Sequence, residues 1–266
     1  MTDRYGRYIT YLRISVTEMC NLHCSYCVAS AGERLTHSHN TLSFDEIVEV
    51  ARAGVDIGVN KVRITGGEPL LRPNLVELVK MLSQIEGLDD LAMSTNGILL
   101  ANQAQALADA GLHRVNVSLD AVNPDRYAEI TGGGDIRRVI NGIEAAKNAG
   151  LQPVKLNCVV NESSNEPDAI EVAAFAHIHN LEVRFIHQMD FIKGTFSVVE
   201  GGSGGDCRRC TRLRLTSDGH IRPCLFSDME YSIRELGVST ALKRAINCKP
   251  ERGAACSHNW IGAIGG

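Results

Sequence analysis

The chain lacks the features that mark membrane, secreted and nucleic-acid-binding proteins. No uninterrupted apolar run reaches eighteen residues, so no segment is expected to span a membrane. The opening stretch, MTDRYGRYITYLRIS, contains no apolar segment of the signal-peptide kind. A formal net charge of −4 provides no basic excess for general nucleic-acid binding. We therefore expect a cytoplasmic protein that binds neither a membrane nor nucleic acid.

Length and composition allow one large domain or one domain with an appendage. The chain has 266 residues, of which 44% are hydrophobic, enough for a sizeable core. It also has nine cysteines. In a reducing compartment, such a number favours metal or cluster binding over disulfides.

A first cysteine set (Cys20, Cys24 and Cys27) is the most informative feature, with Tyr26 directly before its last member. Cysteine is the ordinary ligand of a [4Fe–4S] cluster, and three thiolates leave one iron open for a small molecule. A zinc site would lack one local ligand, and this spacing is unusual for zinc. The spacing resembles the signature of radical S-adenosylmethionine (SAM) enzymes, in which SAM chelates the open iron.

Apolar β-rich runs alternate with segments of helical period from Tyr11 to about His187. The predicted strands are Tyr11–Val16, Lys61–Thr65, Leu91–Ser94, Arg114–Ser118, Val154–Val160 and Glu182–Ile186. The predicted helices are Phe44–Ile57, Asn74–Gln84, Gln103–Ala110, Ile136–Asn148 and Asp168–His179. Such alternation implies right-handed βαβ units and a parallel sheet. The fold class is therefore α/β, an open partial (β/α)6 barrel.

Polar motifs follow these strands at their carboxyl ends, where β/α barrels build active sites. Gly66, Gly67 and Glu68 follow the second strand and suit the amino group of SAM. The alternative is a tight turn that needs glycine for its backbone. The hydroxyl groups of Thr95 and Ser118 could bind ribose or carboxylate groups, or satisfy local backbone.

Three cations lie inside apolar strands, at Arg13, Arg63 and Lys155. A charge in such a position is costly unless an anion awaits it. Together they predict a phosphate-bearing substrate. The alternative is that they form salt bridges with Glu68 or Asp120.

The strand pattern stops at about Met189. We predict a barrel over 1–190, a glycine-rich linker over 191–206 and a small C-terminal domain over 207–266. This domain carries a second cysteine set (Cys207, Cys210 and Cys224). It predicts either an auxiliary cluster or a zinc ribbon completed by Cys248, Cys256 or His258. Arg212 and Arg214 alternate along a short strand and predict an anion pocket, with a solvated basic face as the alternative.

These motifs together resemble the GTP 3′,8-cyclase family of molybdenum-cofactor biosynthesis. The resemblance is carried by Tyr11–Ser15, Cys20–Cys27, Arg63–Leu71, Ser94–Leu99, Arg114–Asp120, Cys207–Phe226 and the final Gly265-Gly266. It implies a partial barrel of radical SAM type with an auxiliary-cluster domain, SAM and two [4Fe–4S] clusters, each held by one cysteine set. It also implies a lyase reaction in which a deoxyadenosyl radical takes the ribose 3′ hydrogen of GTP and the carbon radical attacks guanine C8.

The resemblance assigns roles to residues of this chain. SAM contacts are implied for Tyr26, Gly66, Gly67, Glu68, Ser118 and Met189, and substrate contacts for Arg13, Arg63, Thr95, Lys155, Arg212, Leu213 and Arg214. Catalytic weight is implied for Arg13, Arg212, Arg214, Gly265 and Gly266. The expected partners are GTP or another anionic small molecule and an external electron donor, with a homodimer as one assembly to test.

Two departures from the family pattern keep alternatives open. The stretch from Met189 to Cys207 is shorter than usual, and His187-Gln188 stands where an acidic and an aromatic residue are usual. A shorter stretch would open the substrate side of the barrel. A second hypothesis is therefore a radical SAM enzyme with an auxiliary cluster that acts on a peptide. A third is a non-catalytic metal-binding module.

Overall fold

The structure, a computed structural model, describes residues 1–27 and 40–257. Its strands are β1 Tyr11–Ser15, β2 Lys61–Thr65, β3 Asp90–Thr95, β4 Arg114–Ser118, β5 Lys155–Val160, β6 Glu182–His187, β7 Arg212–Leu215, β8 His220–Arg222 and β9 Tyr231–Ser232. They form one sheet in the order β6-β5-β4-β3-β2-β1-β7-β8-β9. Strands β1 to β7 are parallel, and β8 and β9 are antiparallel additions. The predictions for His258, Gly265 and Gly266 lie outside the described residues.

The helices of the described residues are α1 Phe44–Asp56, α2 Leu75–Ser83, α3 Ala104–Asp109, α4 Pro124–Thr131, α5 Ile136–Asn148, α6 Pro167–Ile178, α7 Ile233–Leu236 and α8 Val238–Asn247. Helices α1 to α6 connect the parallel strands β1 to β6, and α7 and α8 follow β9. The α/β fold, the six predicted strands and the five predicted helices are confirmed. Sequence reasoning missed α4, α7 and α8. For α4, Asn123 as its N-cap and Gly132 at its end are ordinary helix-boundary signals. Among residues 1–27 and 40–257, no helix has the length and apolar character needed to cross a bilayer.

The two faces of each central strand carry different chemistry, because successive side chains in a strand point to opposite faces. In β1, Leu12 and Ile14 are fully buried in the core under the helices. Tyr11 and Arg13 alternate with them and line a cavity on the other face. In β7, Leu213 belongs to the same core. The side chain of Leu213 is therefore a packing residue, and a substrate could reach only its backbone.

The segment after residue 207 continues the sheet and core of the barrel. Strand β7 pairs with β1 in parallel, and Leu215 and Ile221 pack in the same hydrophobic cluster as the barrel strands. The predicted domain boundary at 207 stays a prediction. The predicted linker folds back on β6, where the backbones of Phe185 and Glu200 exchange two hydrogen bonds of 3.1 Å.

Candidate active site

Two glycines anchor the chain just before the first cysteine set. The Gly67 amide donates to the Thr17 carbonyl at 2.8 Å, and the Glu68 amide donates to the Met19 carbonyl at 2.7 Å. A Cβ on Gly66 would lie 2.5 Å from the Thr17 oxygen, and one on Gly67 would lie 2.3 Å from the Met19 oxygen. Such distances exclude any side chain. The glycines therefore serve a backbone role, which is compatible with a further contact to SAM.

A buried carboxylate reinforces this loop. Glu68 is fully buried and accepts hydrogen bonds from the Thr95 hydroxyl at 2.7 Å, the Asn96 amide at 2.7 Å and the Leu70 amide at 3.0 Å. Burial raises the pKa of Glu68 to about 7 against these donors. The hydroxyl group of Thr95, which we predicted to bind substrate, is engaged by Glu68 and also accepts from the Gly97 amide. Thr95 thus positions Glu68 in this structure.

Tyr26 ties the other side of the loop to the barrel. Its hydroxyl donates to Asp120 Oδ2 at 2.6 Å, and Asp120 Oδ1 accepts from the Val159 amide at 2.8 Å. Burial raises the pKa of Asp120 to about 6. Ser118, another predicted SAM contact, ends β4 and is half-buried. Its contact with SAM stays a prediction.

The thiols of the first cysteine set are close enough to oppose one another's ionisation. Burial, followed by the charges of Asp120 and Cys27, raises the pKa of Cys24 to about 12. Burial, followed by Cys20 and Asp120, raises that of Cys27 to about 11. The thiolates of three such half-buried cysteines would repel one another, so a cationic centre is needed for all three to ionise together. The donor set therefore fits an iron–sulfur cluster, since its irons would supply that charge.

A cavity of about 420 Å³ lies on the face of the sheet that Tyr11 and Arg13 line, and most of its charged lining residues are cations. Its only described acidic lining residues are Asp90 and Asp206, and Asp90 is paired with Arg114 at 2.5 Å. The lining cations are Arg13, Lys61, Arg63, Arg114, Arg184, Arg209, Arg212, Arg214 and Lys249. Such an excess of positive charge suits a polyanionic ligand.

Strand register explains why the cations converge. The central strand β1 lies between β2 and β7, and residues with the same register stand side by side on the cavity face. One row across the three strands is Arg63, Arg13 and Arg214, and the next row is Lys61, Tyr11 and Arg212. Because β1 and β7 are far apart in the sequence, local sequence patterns do not show that their residues are neighbours. Arg13 and Arg63, two of the three strand cations noted in the sequence, are neighbours in this register.

Tyr11 is the aromatic centre of this arrangement. The guanidinium carbons of Arg63 and Arg212 lie 5.8 and 5.6 Å from its ring centroid, within cation–π range. Burial would raise the pKa of its phenol, but the charges of Arg13, Arg63, Arg212 and Arg214 lower it. Sequence reasoning missed Tyr11 as a site residue. Its alternation with Arg13 along β1 was the available signal.

Several side chains in the cavity wall have a buried polar atom that makes no hydrogen bond to the described residues. Arg63 Nε, Arg184 Nε and Asn116 Nδ2 have no hydrogen-bond partner among the described residues. Burial, then the charge of Arg212, lowers the pKa of Arg214 to about 10, which leaves it charged at neutral pH. Buried donors without acceptors are costly, so a ligand that supplies acceptors would relieve them. Arg184 is a second site residue that sequence reasoning missed.

Two other predicted site residues have different environments. Lys155 is ion-paired with Glu182 and is not among the described residues that line the cavity. Its partner is neither Glu68 nor Asp120, the two carboxylates considered from the sequence. Met189 does line the cavity, where it packs beside Phe191 and Phe226.

The second cysteine set lies in the wall of the same cavity. Burial would raise the pKa of the Cys210 thiol, but the charge of Lys249 and contacts from Arg212 lower it. Burial raises the pKa of Cys224. Within 1–27 and 40–257, no three His, Cys, Asp or Glu side chains converge on a point where one metal ion would bind. Three cavity-lining thiols with a buried cation beside them fit the larger, anionic cluster that cysteine thiolates hold.

Solved structures support the partial-barrel fold. Streptococcus suis SuiB bound to S-adenosylmethionine aligns with a TM-score of 0.65 at 17% identity, over 86% of this chain and 64% of that chain. Methylornithine synthase (PylB) aligns with a TM-score of 0.57 at 18% identity, over 69% of this chain and 55% of that chain. At such identities, the likeness concerns the fold alone.

Sequence comparisons identify the family. Residues 14–176 match the model of the radical SAM superfamily. GTP 3′,8-cyclase of Alkaliphilus oremlandii is 37% identical over 95% of this chain and 94% of the relative. GTP 3′,8-cyclase of Pelotomaculum thermopropionicum is 39% identical over the same shares. The first alignment spans 300 positions against 266 residues here, so at least 34 positions are filled only in the relative. The chain belongs to the radical SAM superfamily and, within it, to the GTP 3′,8-cyclase family.

Proposed function

We propose that this chain is a radical SAM lyase that converts GTP into (8S)-3′,8-cyclo-7,8-dihydroguanosine 5′-triphosphate in molybdenum-cofactor biosynthesis. The observation that carries the proposal is the cation-lined cavity that also contains the second cysteine set. A triphosphate matches its positive charge and its unpartnered donors. The relatives named GTP 3′,8-cyclase, similar over nearly their whole length, support this choice of substrate.

The first cysteine set would hold a [4Fe–4S] cluster with SAM. When reduced, that group supplies a 5′-deoxyadenosyl radical. The residues around it have separate tasks: Gly66 and Gly67 bring the loop close to the sheet, and Tyr26 holds its far side through Asp120. Glu68 adds a carboxylate environment suited to the amino group of SAM. Ser118 and Met189 would provide further SAM contacts.

The second cysteine set would hold an auxiliary [4Fe–4S] cluster, whose open iron supplies a binding position for substrate. Arg13, Arg63, Arg212 and Arg214 would bind and orient GTP from β2, β1 and β7. Lys155 would bind GTP only after its ion pair with Glu182 breaks. Gly265 and Gly266 would act in catalysis. An external electron donor and a homodimer complete the proposal.

The function is tested by anaerobic turnover with SAM, a reductant and GTP. Deoxyadenosine and any GTP-derived product are measured by mass spectrometry. We expect deoxyadenosine formation that depends on GTP, together with a product isomeric with GTP. Deoxyadenosine that forms only with a peptide, and not with nucleotides, would select the peptide-modifying alternative. No SAM cleavage with either substrate would contradict both.

The anion pocket is tested by replacing Arg212 and Arg214 together with alanine. GTP-dependent turnover should be abolished while SAM binding is kept, because both residues lie on β7, in the cavity wall that contains the second cysteine set. The matched control replaces two exposed arginines on helices, Arg52 and Arg138. The control should behave as wild type. Full activity of the double variant at β7 would contradict the pocket assignment.

A further inference from the structure

Lys249 is a buried lysine that the sequence motifs did not single out. It follows α8 and is only 2% exposed. Its Nζ donates to the Arg212 carbonyl and to the Pro223 carbonyl, both at 2.6 Å. These carbonyls lie two residues after Cys210 and one residue before Cys224. Lys249 therefore joins the two chain segments that carry these cysteines.

The charge of Lys249 has no carboxylate partner in the part of the chain that the structure describes. The described ion pairs include none at this residue. Its neighbours that can become anionic are the thiols of Cys210 and Cys224, whose thiolate charges would favour the protonated form of the lysine. A buried ammonium is costly unless an anion compensates it. Thiolates of the second cysteine set would therefore compensate the positive charge of Lys249.

Arg7 supports the remaining member of the set in a similar way. Its Nη1 donates to the Cys207 carbonyl at 2.7 Å, and its Nη2 donates to the Pro250 carbonyl at 2.7 Å. Arg7 is buried, and its charge is paired with Asp3 at 2.6 Å. It thus ties Cys207 to the residue after Lys249 but brings little net charge.

We propose that Lys249 and Arg7 form a clamp that positions the second cysteine set, and that, of these two residues, only Lys249 adds an uncompensated positive charge to its auxiliary cluster. The proposal rests on the auxiliary cluster of the proposed function. Both residues are positioning residues, since they act through the cysteine backbones and thiols. Cluster potential depends on net charge and on hydrogen bonds to sulfur, so the two residues should differ in effect.

The test uses the full chain with Cys20, Cys24 and Cys27 all replaced by alanine, so that bound iron reports the second cysteine set. After anaerobic reconstitution this background should hold about four irons. Three variants are compared in it: Lys249→Met, Arg7→Met and, as control, Lys243→Met on the exposed face of α8. Iron loss to a chelator and the reduction potential are measured for each.

Lys249→Met should lose iron about 10- to 100-fold faster, because a supporting contact to the ligands is gone. Its potential, at equal iron content, should be more negative, since the removed cation favoured the reduced cluster. Arg7→Met should also lose iron faster but keep its potential, because Asp3 already compensates Arg7. Lys243→Met should change neither quantity. A purely structural role for Lys249 would leave the potential unmoved.

Lys249→Gln covers the case in which the methionine variant does not fold, because its amide can still donate one hydrogen bond. It should show the same negative shift of potential. If the background protein binds iron but substitutions of Lys249 change neither its iron loss nor its reduction potential, the clamp is overturned and the auxiliary cluster stands. A background without iron would overturn the auxiliary cluster and the clamp together.

Discussion

The two cysteine sets have opposite electrostatic surroundings in one sheet. The first lies among carboxylates, those of Glu68 and Asp120, and burial raises the pKa values of all its thiols. The second lies among cations, and the charge of Lys249 lowers the pKa of Cys210. Both sets have the same ligand chemistry. The difference therefore concerns what binds beside them: SAM carries cationic groups, whereas a nucleoside triphosphate is anionic.

The contrast follows from strand position. Cations come from the cavity faces of β2, β1 and β7, which stand side by side. The carboxylates come from segments that follow β2 and β4, where Glu68 and Asp120 are held by hydrogen bonds from backbone and side-chain donors. One barrel thus offers a site for each charge type, and the predictions below test how separate the two sites are.

The largest effects should come from breaking one cysteine set at a time. Cys24→Ser should abolish SAM cleavage, while Cys224→Ser should keep SAM cleavage but remove its dependence on GTP. Each variant should lose about four irons relative to wild type. Iron analysis and deoxyadenosine release with and without GTP check this. GTP-dependent cleavage by Cys224→Ser would show that the two sets are not functionally distinct.

The buried carboxyl group of Glu68, beside the first cysteine set, predicts that the stability of the protein depends on pH. The pKa of Glu68 rises on folding from 4.5 to about 7, so folding favours its protonated form. Its contribution is complete below about pH 4.5 and is lost as the pH rises through about 7. The free energy of unfolding should fall across that window by on the order of 3 kcal/mol.

Glu68→Gln should remove this share of the pH dependence, as measured by urea unfolding at about pH 5 and about pH 8. Glu86→Gln, at an exposed position after α2, is the control and should retain the wild-type slope. Equal slopes in all three proteins would mean that Glu68 is ionised at both pH values.

Binding of GTP in the cation-lined cavity should depend on the aromatic ring of Tyr11. Tyr11→Leu removes the ring that lies beside the guanidinium groups of Arg63 and Arg212, and should raise the KM for GTP about tenfold. Tyr11→Phe keeps the ring and should change KM less than about twofold. Steady-state kinetics with unchanged SAM affinity check the pair. A larger loss in Tyr11→Phe would assign the role to the hydroxyl group instead.

The smallest effect concerns Lys155, which is ion-paired with Glu182 and is not among the described residues that line the cavity. Its partner Glu182 has a side chain that is 55% exposed, so the ion pair contributes little. If Lys155 serves the substrate, Glu182→Gln should lower the KM for GTP by less than about threefold and Lys155→Met should raise it. An unchanged KM in both variants would make the pair structural only.

Local patterns predicted much of the fold. Apolar β-rich runs and helical periodicity located β1 to β6 and five helices within a few residues, because each element buries its own apolar residues. The spacing of the first cysteine set predicted its chemistry, since the three ligands lie in one loop. The helix α4 was predictable from its caps and was missed.

The sequence by itself determined the alternating α/β architecture, the local cysteine loops and the supply of cations. Only the tertiary structure decided which partners these residues have: Thr95 with Glu68, Lys155 with Glu182, and Lys249 with the second cysteine set. The physical reason is that hydrogen bonds and ion pairs of buried groups are chosen by proximity in space. Strand β7 comes to lie beside β1 from about 200 residues away, and no local pattern encodes that neighbour.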